Sequence, residues 1–241
     1  MTYLFNFILN LIDFFYKKKV IRFLKKNINS DIELLLDVGS HKGETIKIFL
    51  DNFNVKNIYS FEASPFNYEK LVKNAHEIKK KNINCNIKIY NIGVGNSNIE
   101  RTFYDIADSN SSTFNKINKN SLYFKRKNKI LSLFFMKNFF VKENMVKQIC
   151  LFDFISKYNL KKINILKVDT EGYEYEVLKG LKDKIINVEF IYFEHHYDDM
   201  VEKNYKFSDI HDLLTKNGFS RIFKIKMPFR KSFDYIYKQI I

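Results

Sequence analysis

The chain has 241 residues, 46% of them hydrophobic, with 41 Lys and Arg against 27 Asp and Glu for a formal net charge of +14. That length allows one large α/β domain or two small ones, and seven glycines with two prolines argue against a turn-rich, many-stranded β protein. The basic excess suits polyanions such as nucleic acid, anionic lipid or phosphate-linked sugars, although abundant Lys, Asn, Ile and Phe together also read as AT-rich coding bias with a solvated basic surface.

The chain opens on MTYLFNFILNLIDFFYKKK. Its apolar part, Tyr3 to Tyr16, is shorter than the ~20 residues that span a bilayer. The lysines Lys17 to Lys19 follow that run rather than precede it, which does not fit a secretory signal. Asn6, Asn10 and Asp13 recur at helical spacing, so an amphipathic helix is expected over residues 1–31. It would pack on its own domain or on a second subunit, or lie in the plane of a membrane surface. Cys85 and Cys150 have no metal spacing and read as two buried free thiols in a reducing cytoplasm.

From residue 32 onward the pattern is one domain of alternating strands and helices. Leu34–Val38 reads as a buried strand, Glu44–Leu50 as a helix, Asn57–Phe61 as a strand, Phe66–Lys79 as a helix and Asn86–Asn91 as a strand. Residues 101 to 147 break the rhythm and read as an excursion over the ligand edge. In it, Ser111, Ser112 and Thr113 offer hydroxyls, and Lys125-Arg126-Lys127 could meet phosphate or simply be solvated. The rhythm resumes with Ile163–Val168, a helix over Tyr173–Leu181, Val188–Glu194, a helix over Ser208–Asn217 and two closing strands, Phe219–Ile225 and Phe233–Ile240. This predicts an α/β, Rossmann-like fold: a mostly parallel sheet with helices on both faces and ligands beyond the carboxyl ends of the strands.

The strand ends carry the candidate residues. In "LLLDVGSHKGETIKIF", Asp37, Gly39, Ser40 and Gly43 form a glycine turn that lacks the middle glycine of a dinucleotide fingerprint. Glu44 at the helix start would repel a diphosphate. The turn therefore suits a ligand without phosphate at that point. "IYSFEASP" ends the second strand in Glu62 and Ala63, where an acid can accept from ribose hydroxyls, and "IYNIGVGN" places Asn91 and Gly93 to read an adenine. S-adenosyl-L-methionine fits that set. "LKVDTEGYEYEVLKGL" puts Asp169 and Glu171 after a buried strand, with Glu174 as a helix-start acid of structural character. "FIYFEHHYDD" adds Glu194 and His195. Asp169, Glu171, Glu194 and His195 are the expected catalytic set, with His195 or Asp169 taking a proton from an acceptor hydroxyl. No metal spacing is present, so no metal is expected.

"LLLDVGSHKGET", "IYSFEASPFNYEKLVKN" and "INILKVDTEGYEYEVLKGLKDKI" resemble the motifs of the FkbM-like methyltransferase family over roughly residues 32 to 200. The family pattern is D-V-G-A-N-x-G, F-E-P-x-P and K-I-D-x-E-G-x-E-x-x-x-L-x-G. Ser40-His41 and Ala63-Ser64 depart from it without removing the glycines or acids. The resemblance implies a Rossmann-like fold, S-adenosylmethionine as donor and O-methylation, often of sugar hydroxyls. The acceptor expected on this reading is a nucleotide-sugar, glycan or surface polysaccharide, handled in the cytoplasm or at the inner face of the membrane. A nucleic-acid methyltransferase and a non-catalytic membrane-associated binding protein are the alternatives; no [DN]-P-P-[YF] tetrapeptide supports the first of these.

Overall fold

The structure, a computed structural model, describes residues 2–28, 31–106, 112–135 and 141–240, without the side chains of residues 2–14, 127 and 130–135. Ser111, the Lys127 side chain and the proposed Asn6, Asn10 and Asp13 stripe therefore lie outside the described residues.

Seven strands form the main sheet: β1 (Asp31–Val38), β2 (Asn54–Phe61), β3 (Asn86–Tyr90), β7 (Ile163–Val168), β8 (Val188–His196), β9 (Phe219–Lys226) and β10 (Ser232–Gln239). Their order is β3-β2-β1-β7-β8-β10-β9. β3, β2, β1, β7 and β8 are parallel neighbours, and β10 pairs antiparallel with both β8 and β9. The chain builds outward from β1 to β3 and then returns to β7 on the other side of β1. Strand order thus reverses between β1 and β7, which is where such sheets open a ligand crevice.

Both faces are covered, as the continuous apolar strands predict. One face carries α1 (Thr2–Asn27), α2 (Glu44–Leu50) and α3 (Pro65–Lys81). From α1, Tyr16, Val20, Ile21 and Leu24 fall at helical spacing and are buried with Leu35, Ile46, Phe49, Ile165, Phe190 and Ile236. The carboxyl half of α1 therefore packs on its own sheet. α3 begins at Pro65 behind the N-cap Ser64, whose Oγ accepts from Asn67 N at 3.2 Å. The opposite face carries α5 (Leu151–Lys157), α6 (Glu174–Lys179) and α7 (Phe207–Lys216), with Leu151, Val177, Leu178, Ile210 and Leu214 buried.

The excursion is built on a second sheet in the order β4-β6-β5: β4 (Gly93–Gly95), β5 (Ile99–Ile106) and β6 (Val141–Cys150). α4 (Leu122–Phe135) lies between the last two. These strands were missed because their alternation is interrupted by charged residues. Ser112 ties the segment down: its Oγ donates to Asp105 Oδ1 at 2.9 Å, while Ser64 Oγ donates to Asp105 Oδ2 at 2.7 Å. Cys85 and Cys150 are both buried.

Candidate active site

The turn after β1 is shaped by close backbone approach. Gly39 has φ +80, and a Cβ there would run into the carbonyl oxygen of Asp169. Gly39 N and Ser40 N donate to Phe61 O at 2.9 and 3.1 Å, and Asp169 N donates to Val38 O at 2.9 Å. The ends of β2, β1 and β7 are thereby knitted together. Glu62 extends the knot, its two carboxylate oxygens accepting from His41 N at 2.7 Å and Ser64 N at 2.8 Å. Burial pushes Glu62 up to about 8 despite those two donors.

A cavity opens beside this knot. Gly39, Ser40, Glu62, Ala63 and Gly93 line it, with apolar walls from Ile92, Val94, Phe103 and Phe114 and an edge from Ser112. Further round, the lining comes from Lys167, Asp169, Thr170, Glu171, Tyr192, Glu194, Arg230 and Asp234, closed by Tyr16 and Lys17 of α1. Three expected cofactor residues do not face it. Asp37 is buried in register with Lys167; burial pushes it up to about 6, with Lys167 pulling the other way. Gly43 is the left-handed N-cap of α2. The Asn91 amide donates to Glu62 O at 2.9 Å and so supports the loop rather than the ligand edge.

The acidic wall is held by two cations. Lys167 Nζ donates to Asp169 Oδ2 at 3.0 Å. Burial opposes the Asp169 carboxylate, yet Lys167 outweighs it and the pKa falls below the usual range. His196 Nε2 lies 3.3 Å from Glu171 Oε2 and 3.2 Å from Glu194 Oε1, with Nδ1 at 3.6 Å from Asp198 Oδ2. Burial alone would lower His196, but Glu171 and Glu194 raise it to about 10, so it is an imidazolium at neutral pH. Glu194 is held above the ordinary glutamate value by burial, with His196 opposing. Glu174 is structural: it accepts from Thr170 N, Thr170 Oγ1, Gly172 N and Tyr205 OH and so fixes the turn that carries Glu171.

His195 does not join this wall. Side chains alternate along a strand, so Tyr192, Glu194 and His196 share one face of β8 and His195 points to the other. There it packs against Tyr197, Tyr205 and Phe207, and burial pushes it down to about 3. The imidazole that meets the acids is His196. Accordingly, His195→Phe is expected to leave kcat within about threefold of the parent, because an aromatic ring is retained among aromatic rings. A loss of two or more orders of magnitude in steady-state rate would return His195 to the chemistry.

Sequence reasoning also missed Lys167, Arg230, Tyr16, Tyr192 and Asp234. Tyr192 OH donates to Asp234 Oδ2 at 2.7 Å, and burial, reinforced by Glu194, pushes Asp234 up to about 7. Among the described residues, no group of three His, Cys, Asp or Glu is arranged to hold a metal ion.

Asp37, Glu62 and Asp234 share one linkage sign. Their folded values of about 6, 8 and 7 lie above the unfolded values near 4, so the folded state holds protons that the unfolded chain has released. The stability they contribute is full below about pH 4 and is lost as pH rises through those folded values. His195, held neutral, works the other way only below its unfolded value of about 6.5. The thermal midpoint of the ligand-free chain is therefore expected to fall between about pH 6.5 and 8.5. A midpoint that rises over that interval in calorimetry would contradict the burial of these acids.

The sheet order, with its reversal between β1 and β7, is that of a Rossmann-like fold. A family model described as the methyltransferase FkbM domain matches residues 37–221. The chain belongs to the FkbM methyltransferase family, a family that uses S-adenosylmethionine. Methyltransferase 1 of Beauveria bassiana (strain ARSEF 2860) is 25% identical over 157 residues, 64% of this chain and 60% of that protein. The crystal structure of methyltransferase FkbM from Methylobacillus flagellatus KT superposes with a TM-score of 0.54 at 12% identity, covering 86% of this chain and 44% of that one. Magnesium protoporphyrin IX methyltransferase of Synechocystis PCC 6803, with bound S-adenosylmethionine, gives 0.55 at 10% identity, covering 96% and 82%. The two structures share the fold. The chain spans only 60% of the curated relative and 44% of the FkbM structure. Among the described residues, no helix is long and apolar enough to cross a membrane.

Proposed function

We propose that this chain transfers a methyl group from S-adenosylmethionine to a hydroxyl of a sugar, in a nucleotide-sugar, glycan or surface polysaccharide, at the cytoplasmic side of the cell. The residues present fit the donor. Glu62 keeps acceptor capacity for ribose hydroxyls after taking two backbone donors. Ala63, Ile92, Phe103 and Phe114 supply flat apolar walls for a base, and the acids beyond Gly39 suit a cationic, amino-acid-bearing end. Bound there, the sulfonium would supply an already electrophilic methyl carbon.

The chain's own work is then alignment and proton removal. Alignment of reacting groups can contribute about 7–11 kcal/mol, and a positioned base about 10²–10⁴-fold. Glu194 is the better base of the wall, because burial raises it whereas Lys167 holds Asp169 low. His196, an imidazolium, orients Glu194 and Glu171 rather than accepting a proton. Asp169 and Glu171 accept from neighbouring hydroxyls of the acceptor.

The convergence of Asp169, Glu171 and Glu194 on one cavity carries this reading. Several carboxylates recognise the hydroxyls of a polyol and repel phosphate placed against them, so any phosphate of the acceptor lies away from this wall. The test is mass spectrometry of reactions with S-adenosylmethionine and a panel of nucleotide-sugars, glycan extracts and RNA. Methylated sugar supports the proposal; methylated RNA with unmodified sugars overturns it.

A further inference from the structure

The turn between β9 and β10 ends in an aromatic residue that the fold does not use. Phe229 is 85% exposed and sits at φ +60, a left-handed conformation that bulky side chains rarely adopt. Pro228 precedes it, Arg230 and Lys231 follow it, and Lys224 and Lys226 are exposed on the same hairpin. α1 runs alongside. Phe23 stacks on Phe223 with ring centroids 4.3 Å apart, and Phe15, Tyr16 and Lys19 share a shallow groove with Ile225, Lys226 and Pro228. Phe15 is 55% exposed, and Lys17, Lys18 and Lys19 are exposed beside it. Tyr16 and Lys17 from the helix, and Met227 and Arg230 from the turn, also line the large cavity.

We propose that this two-element face, Phe15–Lys19 of α1 with the Met227–Lys231 turn, docks on an anionic phospholipid bilayer, with the Phe229 ring set at the bilayer interface. An exposed Phe on an interfacial surface buries its ring at the boundary between headgroups and acyl chains, and exposed lysines near an anionic leaflet add attraction that salt screens. A single weak anchor binds only marginally, whereas two combine. Phe15 with Lys17, Lys18 and Lys19 of α1 supplies one anchor and the turn supplies the other. Because both elements border the cavity, docking turns its mouth toward the lipid surface. The acceptor sugar of the proposed reaction would then be one carried on a lipid. Docking itself does not depend on that reading.

The test is vesicle flotation of the full chain, with equimolar phosphatidylcholine and phosphatidylglycerol against phosphatidylcholine alone, at low and high salt. The chain should float with the anionic vesicles at low salt only. Phe229→Gly should reduce the bound fraction about tenfold. Its thermal midpoint should stay level or rise, since glycine suits φ +60. Lys226→Glu with Lys231→Glu should reduce binding as well. The thermal shift caused by S-adenosylhomocysteine should persist in both variants, so loss of docking is read separately from donor binding. Flotation of Phe229→Gly equal to the parent, equal binding to neutral vesicles, or a Phe229-dependent dimer seen by light scattering without lipid would each overturn the proposal.

Discussion

Gly39→Ala is expected to lower stability by about 2–5 kcal/mol and to abolish binding of S-adenosylhomocysteine. Two costs combine. An L residue at φ +80 is strained by roughly 1–2 kcal/mol. The added methyl also meets a backbone carbonyl, Asp169 O, that cannot swing aside as a side chain could. Overpacking of this kind costs typically ~1–3 kcal/mol and sometimes more. For a chain of this size the sum corresponds to a fall in thermal midpoint of roughly 4–20 °C. Gly43 provides the internal comparison. It too has positive φ, but its nearest obstacle is the flexible Leu71 Cδ1 at 3.0 Å, so Gly43→Ala should cost only about 1–2 kcal/mol. Scanning calorimetry on the two variants decides the matter: a Gly39→Ala midpoint equal to or above that of Gly43→Ala would mean that the β1 and β7 ends are not in the contact described.

Glu194→Gln is expected to lower kcat by about 10²–10⁴-fold while leaving the affinity for the donor unchanged. Glutamine keeps the size and one acceptor oxygen but cannot take a proton. In the parent, kcat/KM should rise with pH as Glu194 deprotonates, with a midpoint above the ordinary glutamate value of about 4.3, because burial favours its neutral form. His196, held up to about 10, stays charged throughout and contributes no second inflection near neutrality. Isothermal titration with S-adenosylhomocysteine separates this from a general collapse of the site. A variant that turns over at the parent rate, or that loses donor affinity in step with rate, would remove Glu194 from the role of base.

The sheet and its active edge were legible because their signals are local. Apolar runs ending in acids located Val38, Phe61 and Val168 as strand ends, and those ends do converge. What failed was register and partnership. The expected strand stopped at Glu194, so the two histidines that follow were not assigned to faces; extending it through His196 puts Glu194 and His196 on one side and His195 on the other. Asp234 sits opposite Glu194 across an antiparallel pairing that no short-range pattern announces. Tyr16 and Arg230 reach the cavity from opposite ends of the chain, a proximity that only tertiary packing creates. Asn91 was placed at the correct edge, yet its amide is consumed by the carbonyl of Glu62.

The contact between Gly39 and Asp169 has a mechanical consequence. With Asp169 N bonded to Val38 O and no room at Gly39, the turn after β1 and the acidic wall cannot shift independently. They form one rigid floor. Breathing that admits or releases ligands therefore falls chiefly to the exposed turn bearing Arg230, since Tyr16 is packed on the sheet and Ser112 is bonded to Asp105. Amide hydrogen exchange should accordingly find the floor slow and the Met227–Lys231 turn fast.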